Sequence, residues 1–323
     1  MKLYGGIDLH SNNSVIALLD EADRVVYRRR LPNDLEIVLA ELEPYGDAIE
    51  GLVVESTYNW YWLVDGLMEA GYRVHLANTA AIVQYAGLKY ADDDTDACWL
   101  AKLLRLGLLP EGYIYPKAQR PVRDLLRKRS QLVHQRTSNL QSIQNLLARN
   151  RGRSLGANQV KRLSYEDVDR LLPDFDLALA VKSTLAVMRT LEAMITGLEK
   201  VAKARSKLRP ELEPLLTVSG IGQILGLTIM LETGEIGRFA KVGNYASYCR
   251  CVGSERISNG KRKGRGNTKN GNKYLAWAYI EVTWSSEFGH PIKPHWPVGR
   301  FSQIHPDSGS PGTNVTAGCC RTS

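Results

Sequence analysis

Apolar and polar positions alternate in three short runs at the start of the chain, Leu3 to Leu9, Ser14 to Leu19 and Arg24 to Leu31, separated by the polar turns HSNN and DEAD. That period predicts three strands joined as hairpins, a meander. Leu35 to Leu42 then carries apolar residues at helical spacing. Gly51 to Glu55 (GLVVE) reads as a short buried strand, Tyr58 to Ala70 as a second helix and Tyr72 to Leu76 as a further strand. Beyond Pro116 the pattern lengthens. Val122 to Arg149 sustains apolar positions at Leu125, Leu132, Val133, Leu140, Ile143 and Leu147, and Leu177 to Leu208 does likewise, with Gly152, Gly156 and Pro173 between them. Two long helices separated by breakers predict an antiparallel hairpin or an oligomerising coiled coil.

Three hairpin strands followed by strands alternating with helices describe a mixed α/β sheet with helices packed on it, the order found in ribonuclease H-like folds. Four segments are expected: an α/β domain over residues 1–110, a helical coiled-coil region over 117–209, a mostly α domain over 210–281, and an atypical tail over 282–323. With 323 residues the chain has room for several cores. No apolar run approaches the length of a membrane span and MKLYGGIDLHS starts a strand instead of a leader, so a soluble, cytoplasmic protein without a membrane partner is expected.

Charge changes the picture more than composition does. The formal net charge is +8 and the positive side chains are clustered. Between Gln119 and Arg162 the basic residues include Arg120, Arg123, Arg127, Lys128 and Arg129, opposed by Asp124 alone; between Arg250 and Lys273 they include Lys261, Arg262, Lys263 and Arg265, opposed by Glu255 alone. A single charge run is usually a solvated face. Two such runs, one helical and one rich in Gly and Asn, point to phosphate contacts with nucleic acid. The five cysteines lack paired CxxC spacing and the six histidines are scattered, which argues against a zinc site and a disulfide framework.

Against this basic background stands KYADDDTDACWLAKLL, residues 89–104, with four aspartates in five positions at a helix start. Capping and the helix dipole account for one or two of them. A divalent cation accounts for more, because it removes the repulsion. Asp93 and Asp96, three apart, share a helix face, and so do Asp92 and Asp96, four apart; spacing does not choose between the pairs. Asp8 closes the first strand (YGGIDLH) and Glu55 the fourth (LVVES). If those strands are neighbours, two carboxylates converge at one sheet edge and the acidic helix start supplies the rest. Hard oxygen ligands suit Mg²⁺ or Mn²⁺. The string GID also begins the phosphate-binding hairpin of actin-like sugar kinases, but the second phosphate loop and adenosine-binding glycine segment those enzymes need are absent.

Residues 216–237, LTVSGIGQILGLTIMLETGEIG, have the form of a helix-hairpin-helix, in which Gly220 and Gly222 would let a phosphate approach backbone N–H groups at a helix start. With RFAKVGNYASYCRCVG following, the chain from Tyr4 to about Glu281 resembles the DEDD-type insertion-sequence transposases, bridge-RNA-guided serine recombinases with a RuvC-like domain. The resemblance implies a DNA recombinase with four metal ligands, which fall on Asp8, Glu55, Asp93 and Asp96, the last two from an Asp-x-x-Asp-Ala motif completed by Ala97. Asp92 and Asp94 then become capping or solvated residues. It also implies a nucleophilic serine, matched by Ser258 in the loop SERISNGKRKGRGN, with Lys261, Arg262, Lys263 and Arg265 beside it. The bland alternative makes Ser254 and Ser258 ordinary turn residues next to Asn259-Gly260. Implied partners are DNA, a structured noncoding guide RNA, and further copies of the chain in a dimer or tetramer.

Other readings of the same residues are a metal-dependent Holliday-junction resolvase-like nuclease that uses water as nucleophile, and a nucleic-acid-binding remnant without catalysis. From Val282 the helical period ends in a stretch rich in Pro, Gly and Ser that closes with Cys319-Cys320, which reads as a disordered or frameshifted terminus.

Overall fold

The computed structural model describes residues 1–82, 93–206, 210–253, 255–258, 261–265 and 270–285. These fall into two compact units: residues 1–120 with the segment 255–270, and residues 121–254 with the segment beginning at 271.

The first unit opens with β1 (Leu3–Leu9), β2 (Asn13–Leu19) and β3 (Val25–Pro32), followed by α1 (Leu35–Leu42), β4 (Ile49–Glu55), α2 (Tyr61–Glu69), β5 (Val74–Ala77), α3 (Asp93–Arg105) and β6 (Glu111–Gly112). In the described residues the strands form a six-stranded mixed sheet in the order β3-β2-β1-β4-β5-β6. β1, β2 and β3 pair antiparallel, β1-β4 and β4-β5 parallel, and β6 returns antiparallel to β5. Central strands buried on both faces need apolar or small residues throughout, which LYGGIDL and LVV provide. β3 is the edge, where Arg28, Arg29 and Arg30 are exposed and discourage further pairing.

The two faces are covered differently. Leu3, Ile7, Ile16, Leu18, Leu52 and Val54 form one core with Val38 and Leu42 of α1 and Leu63, Val64 and Leu67 of α2. On the opposite face α3 lies against the sheet, its Ala97 meeting Val15 and Ala17 while Leu100 and Leu103, with Ile82, meet Val53 and Ala77. The far end of α3 is pinned by Asp23, which accepts from Arg105 Nε at 2.6 Å and pairs with Lys102 Nζ at 3.1 Å. The first helix and strands match the sequence expectation within a few residues; α2 starts three residues later than Tyr58.

The second unit contains α4 (Arg120–Arg151), α5 (Ala157–Arg162), α6 (Tyr165–Leu171), α7 (Phe175–Ser206), α8 (Glu213–Leu216), α9 (Gln223–Thr233) and α10 (Val242–Tyr248), and is closed by α11 (Lys273–Ser285). α4 and α7 run antiparallel, since residues early in one meet residues late in the other: Arg129 pairs with Glu199 and Arg136 with Glu192. Leu140, Ile143 and Leu147 continue that seam onto Val181, Leu185 and Met188, with α5 and α6 closing its end. At the other end Val122 and Leu126 meet Ala202, Leu212, Leu227 and Leu231, so α9 seats on the helical hairpin. A short hairpin, β7 (Glu255–Ser258) with β8 (Lys261–Arg265), is grouped with the first unit.

α11 runs four residues beyond the expected boundary at Glu281, and Val282 is buried with Leu275, Ala278 and Tyr279 in the core around α9 and α10. The reason is local: WAYIEV keeps apolar residues at helical spacing before the proline-rich stretch begins. The expectation for the tail from residue 286 onward lies outside the described residues. Among the described residues no helix is long and apolar enough to cross a membrane.

Candidate active site

Strand register brings the first two carboxylates together. Ile7 stands opposite Val54 in the parallel β1-β4 pair, so Asp8 and Glu55 are the next residues along, and both share the face of Gly6 and Val53, toward α3. The two carboxyls are in hydrogen-bonding contact, and the Asp96 carboxylate adds its charge from α3. Burial, the hydrogen bond that the protonated Glu55 carboxyl donates to Asp8, and the charges of Asp8 and Asp96 push the Glu55 carboxyl up to about 8. Asp8 itself is 3% exposed.

What lets α3 come so close is a glycine. A Cβ on Gly6 would lie 1.9 Å from the Ala97 carbonyl oxygen and 2.7 Å from the Ala101 nitrogen. The helix backbone therefore rests directly on β1, and Asp96, next to Ala97, is held on the side where Asp8 points. Sequence reasoning chose the aspartates and missed Gly6. The signal was present as Gly-Gly inside a strand, where glycine otherwise weakens pairing.

A polar rim surrounds Asp8. His10 Nε2 stands 3.2 Å from Asp8 Oδ2. The His10 carbonyl accepts from both Asn33 Nδ2 and Asn59 Nδ2 at 2.9 Å, and Asn59 Oδ1 accepts from Thr57 Oγ1. These bonds tie the ends of β1, β3 and β4 into one edge. Asn33 and Asn59 carried no motif and were not legible beforehand.

The remaining predicted residues are placed as follows. Asp93 is the first residue of α3, but its side chain and all of Asp92 lie outside the described residues. Ser258 is the last residue of β7, paired with Lys261 across the hairpin, and Arg262, Lys263 and Arg265 continue along β8. Ser254 is outside the described residues. Gly222 caps α9 with open space around its Cα, whereas Gly220, at φ +86°, is pressed against the Val282 carbonyl, 2.9 Å from where a Cβ would be. Gly222 can present a backbone to an anion; Gly220 serves the turn.

The basic helix divides in two. Arg123 is buried and, with Arg127, is bound to the buried Glu232 of α9, which also accepts from Asn272 Nδ2 at 2.7 Å. Arg129 pairs with Glu199 and stacks over Trp277, and Arg120 is buried against Asp65, Trp60 and Tyr61. In this arrangement Arg120 and Arg123 are structural arginines, not surface ones, and Arg127 and Arg129 are largely committed to carboxylates. Lys128 remains exposed. Asp65 of α2, the half-buried Glu199 of α7 and the buried Glu232 of α9 captured them, and nothing in the run of basic residues itself announced those partners.

Among the described residues no three His, Cys, Asp or Glu side chains are grouped tightly enough to hold a metal ion as they stand. The donor set nonetheless fits a hard divalent cation. Asp8, Glu55 and Asp96 offer only carboxylate oxygens, and the raised Glu55 shows charges gathered at cost to one another.

The first unit is an α/β sheet whose first and fourth strands end in neighbouring carboxyls, and the second unit is helical. Residues 5–150 match the family model of DEDD transposases of the IS110 type, and residues 212–292 match that of the transposase IS116/IS110/IS902 family. A curated relative from Pseudomonas aeruginosa, described as a probable family 20 transposase, is 26% identical over 280 residues, 84% of this chain and 80% of its own length. The chain belongs to the IS110-type DEDD transposases. It is thus an insertion-sequence transposase by family, a DNA-transposing and DNA-binding class in which dependence on a divalent metal is suggested by the acidic motif itself.

Proposed function

We propose that this chain cuts and exchanges DNA strands with a serine nucleophile, assisted by Mg²⁺ or Mn²⁺ held by Asp8, Glu55, Asp93 and Asp96. The observation that carries the reading is the mutual contact of Asp8 and Glu55 on adjacent parallel strands, with Asp96 brought onto them by the Gly6-Ala97 approach. The strand order β3-β2-β1-β4-β5, antiparallel then parallel, supports a ribonuclease H-like, RuvC-like domain. Such a domain places acids at the ends of its first and fourth strands, as here.

When bound, the cation would offset negative charge on the scissile phosphate and on the oxygens entering and leaving it. The chain's own contribution is to bring the Asp8 and Glu55 carboxyls into contact with the Asp96 charge nearby, and to keep Glu55 ready to give up its proton there. Ser258 Oγ would give up its proton to solvent and attack phosphorus, forming the Ser–O–P bond as the P–O bond of the leaving strand breaks; the departing oxygen takes up a proton in turn, and the same exchange in reverse rejoins a strand. Lys261, Arg262, Lys263 and Arg265 lie near it in the hairpin and suit the phosphate's charge. A structured noncoding guide RNA, and a dimer or tetramer of this chain, complete the proposal on the strength of the resemblance.

The test is cleavage of element-end DNA in Mg²⁺, paired with gel shift. Asp8→Asn and Asp96→Asn should abolish cutting and leave DNA binding intact, because each removes a charge from a repelling group and does not unbalance the fold. A denaturation-resistant protein-DNA adduct should form on a trapped substrate and vanish in Ser258→Ala. Full cleavage by Asp8→Asn refutes the carboxylate site; cutting without an adduct refutes the serine and leaves water as nucleophile. Sequencing of co-purified RNA and a sedimentation mass address the guide and the assembly.

A further inference from the structure

In the second unit an open groove of about 910 Å³ runs between one face of α4 and the start of α11. Lys128, Gln131 and Gln135 recur on α4 at spacings of three and four, so they form a single stripe along the groove. Opposite them Tyr274 and Trp277, three apart on α11, expose part of their rings, and Lys273 stands at the entrance. The volume is at the upper end of pockets that take a small ligand, roughly 300–1,000 Å³, but the groove is open along its length.

The wall chemistry is unusual for a structural seam. Cations already attend both rings: Arg127 lies 4.4 Å and Lys273 5.2 Å from the Tyr274 ring centre, and Arg129 5.8 Å from that of Trp277. Arg127 and Arg129 are in turn fixed by Glu232 and Glu199, so the aromatic rings are backed by cations that cannot follow a ligand away. Amides on the opposite stripe present both donors and acceptors, the equipment for the polar edge of a base. Asp124, four residues before Lys128 on the same helix face, adds one negative charge at the end of the stripe, which disfavours a groove meant for a continuous phosphate track alone.

We infer that this groove holds unpaired bases of a DNA strand, stacked on Tyr274 and Trp277 and edge-bonded by Gln131 and Gln135, with Lys128 and Lys273 on the adjoining phosphates. The inference rests on the reading of the chain as a DNA strand-exchanging enzyme, because exchange must leave bases without partners. It goes beyond that reading in placing a single-strand site on residues that are none of the proposed catalytic groups.

The experiment measures anisotropy of a labelled oligothymidylate, an oligouridylate of equal length and a DNA duplex with the full-length protein. Oligothymidylate should bind, and Tyr274→Leu should weaken it roughly tenfold with duplex affinity unchanged. Because Tyr274 touches Arg127, the double change Gln131→Ala with Gln135→Ala, both exposed, serves as a second variant and should weaken the single strand in the same selective way. Equal losses on duplex and single strand, or a preference for oligouridylate, would overturn the inference while leaving DNA transposition standing. Failure to bind any DNA would instead count against both.

Discussion

At the scale of single residues the site depends on an atom that is missing. Replacing Gly6 with alanine puts a methyl group inside the backbone of α3, 1.9 Å from the Ala97 oxygen, and no flexible side chain can yield in its place. The helix must move. Gly6→Ala should therefore destabilise the first unit by about 1–3 kcal/mol or more and reduce cutting even in the protein that folds, because Asp96 moves with Ala97. Thermal unfolding together with a cleavage rate at a temperature where the variant is folded checks both halves; a variant as stable as wild type would show that α3 does not rest on β1. The same position explains what was legible. Carboxylate identity could be read because charge clustering against a basic background is visible in a linear string. The register between Asp92 and Asp93 came from the resemblance alone.

Elements tell the opposite story for the basic residues. α4 reads as a uniformly basic helix, yet its partners are far away in sequence: Glu232 lies 109 residues from Arg123, and Glu199 lies 70 residues from Arg129. Helix period predicts which face is apolar, but long-range ion pairs leave no local mark, so the face toward α9 was indistinguishable from one toward phosphate. Two outcomes separate these roles. Glu232→Gln keeps the shape but leaves Arg123 buried without its counter-charge, and should cost about 3–5 kcal/mol in the helical unit. Lys128→Ala should leave stability unchanged and lower the salt dependence of DNA binding by at most about one unit of log-log slope. A Glu232→Gln protein of normal stability, or a Lys128→Ala protein with a markedly lower melting temperature, would reverse the assignment of the two side chains.

For the whole molecule, two compact units with separate cores imply two separable unfolding transitions, each with its own chemistry. The α/β unit holds the carboxylates, so Mg²⁺ or Mn²⁺ should raise its transition, by about 2.7 kcal/mol when the ion is at a hundred times its dissociation constant, and Asp8→Asn should abolish that gain. The helical unit answers to acid instead. Burial alone would raise the Glu232 carboxyl, but the hydrogen bond from Arg127, the charges of Arg123 and Arg127 and the bond from Asn272 together hold it below its ordinary value of 4.5. A depressed carboxyl binds fewer protons folded than unfolded, so its contribution is present above about pH 4.5 and is lost as the pH falls through the lower folded value. Calorimetry from pH 7 down to pH 3 should show the helical transition falling, with Glu232→Gln flattening that dependence because no proton is left to take up. An acid response that stays equally steep in Glu232→Gln would place the sensitive carboxylate elsewhere, and a metal-dependent shift of the helical transition would place the cation there as well.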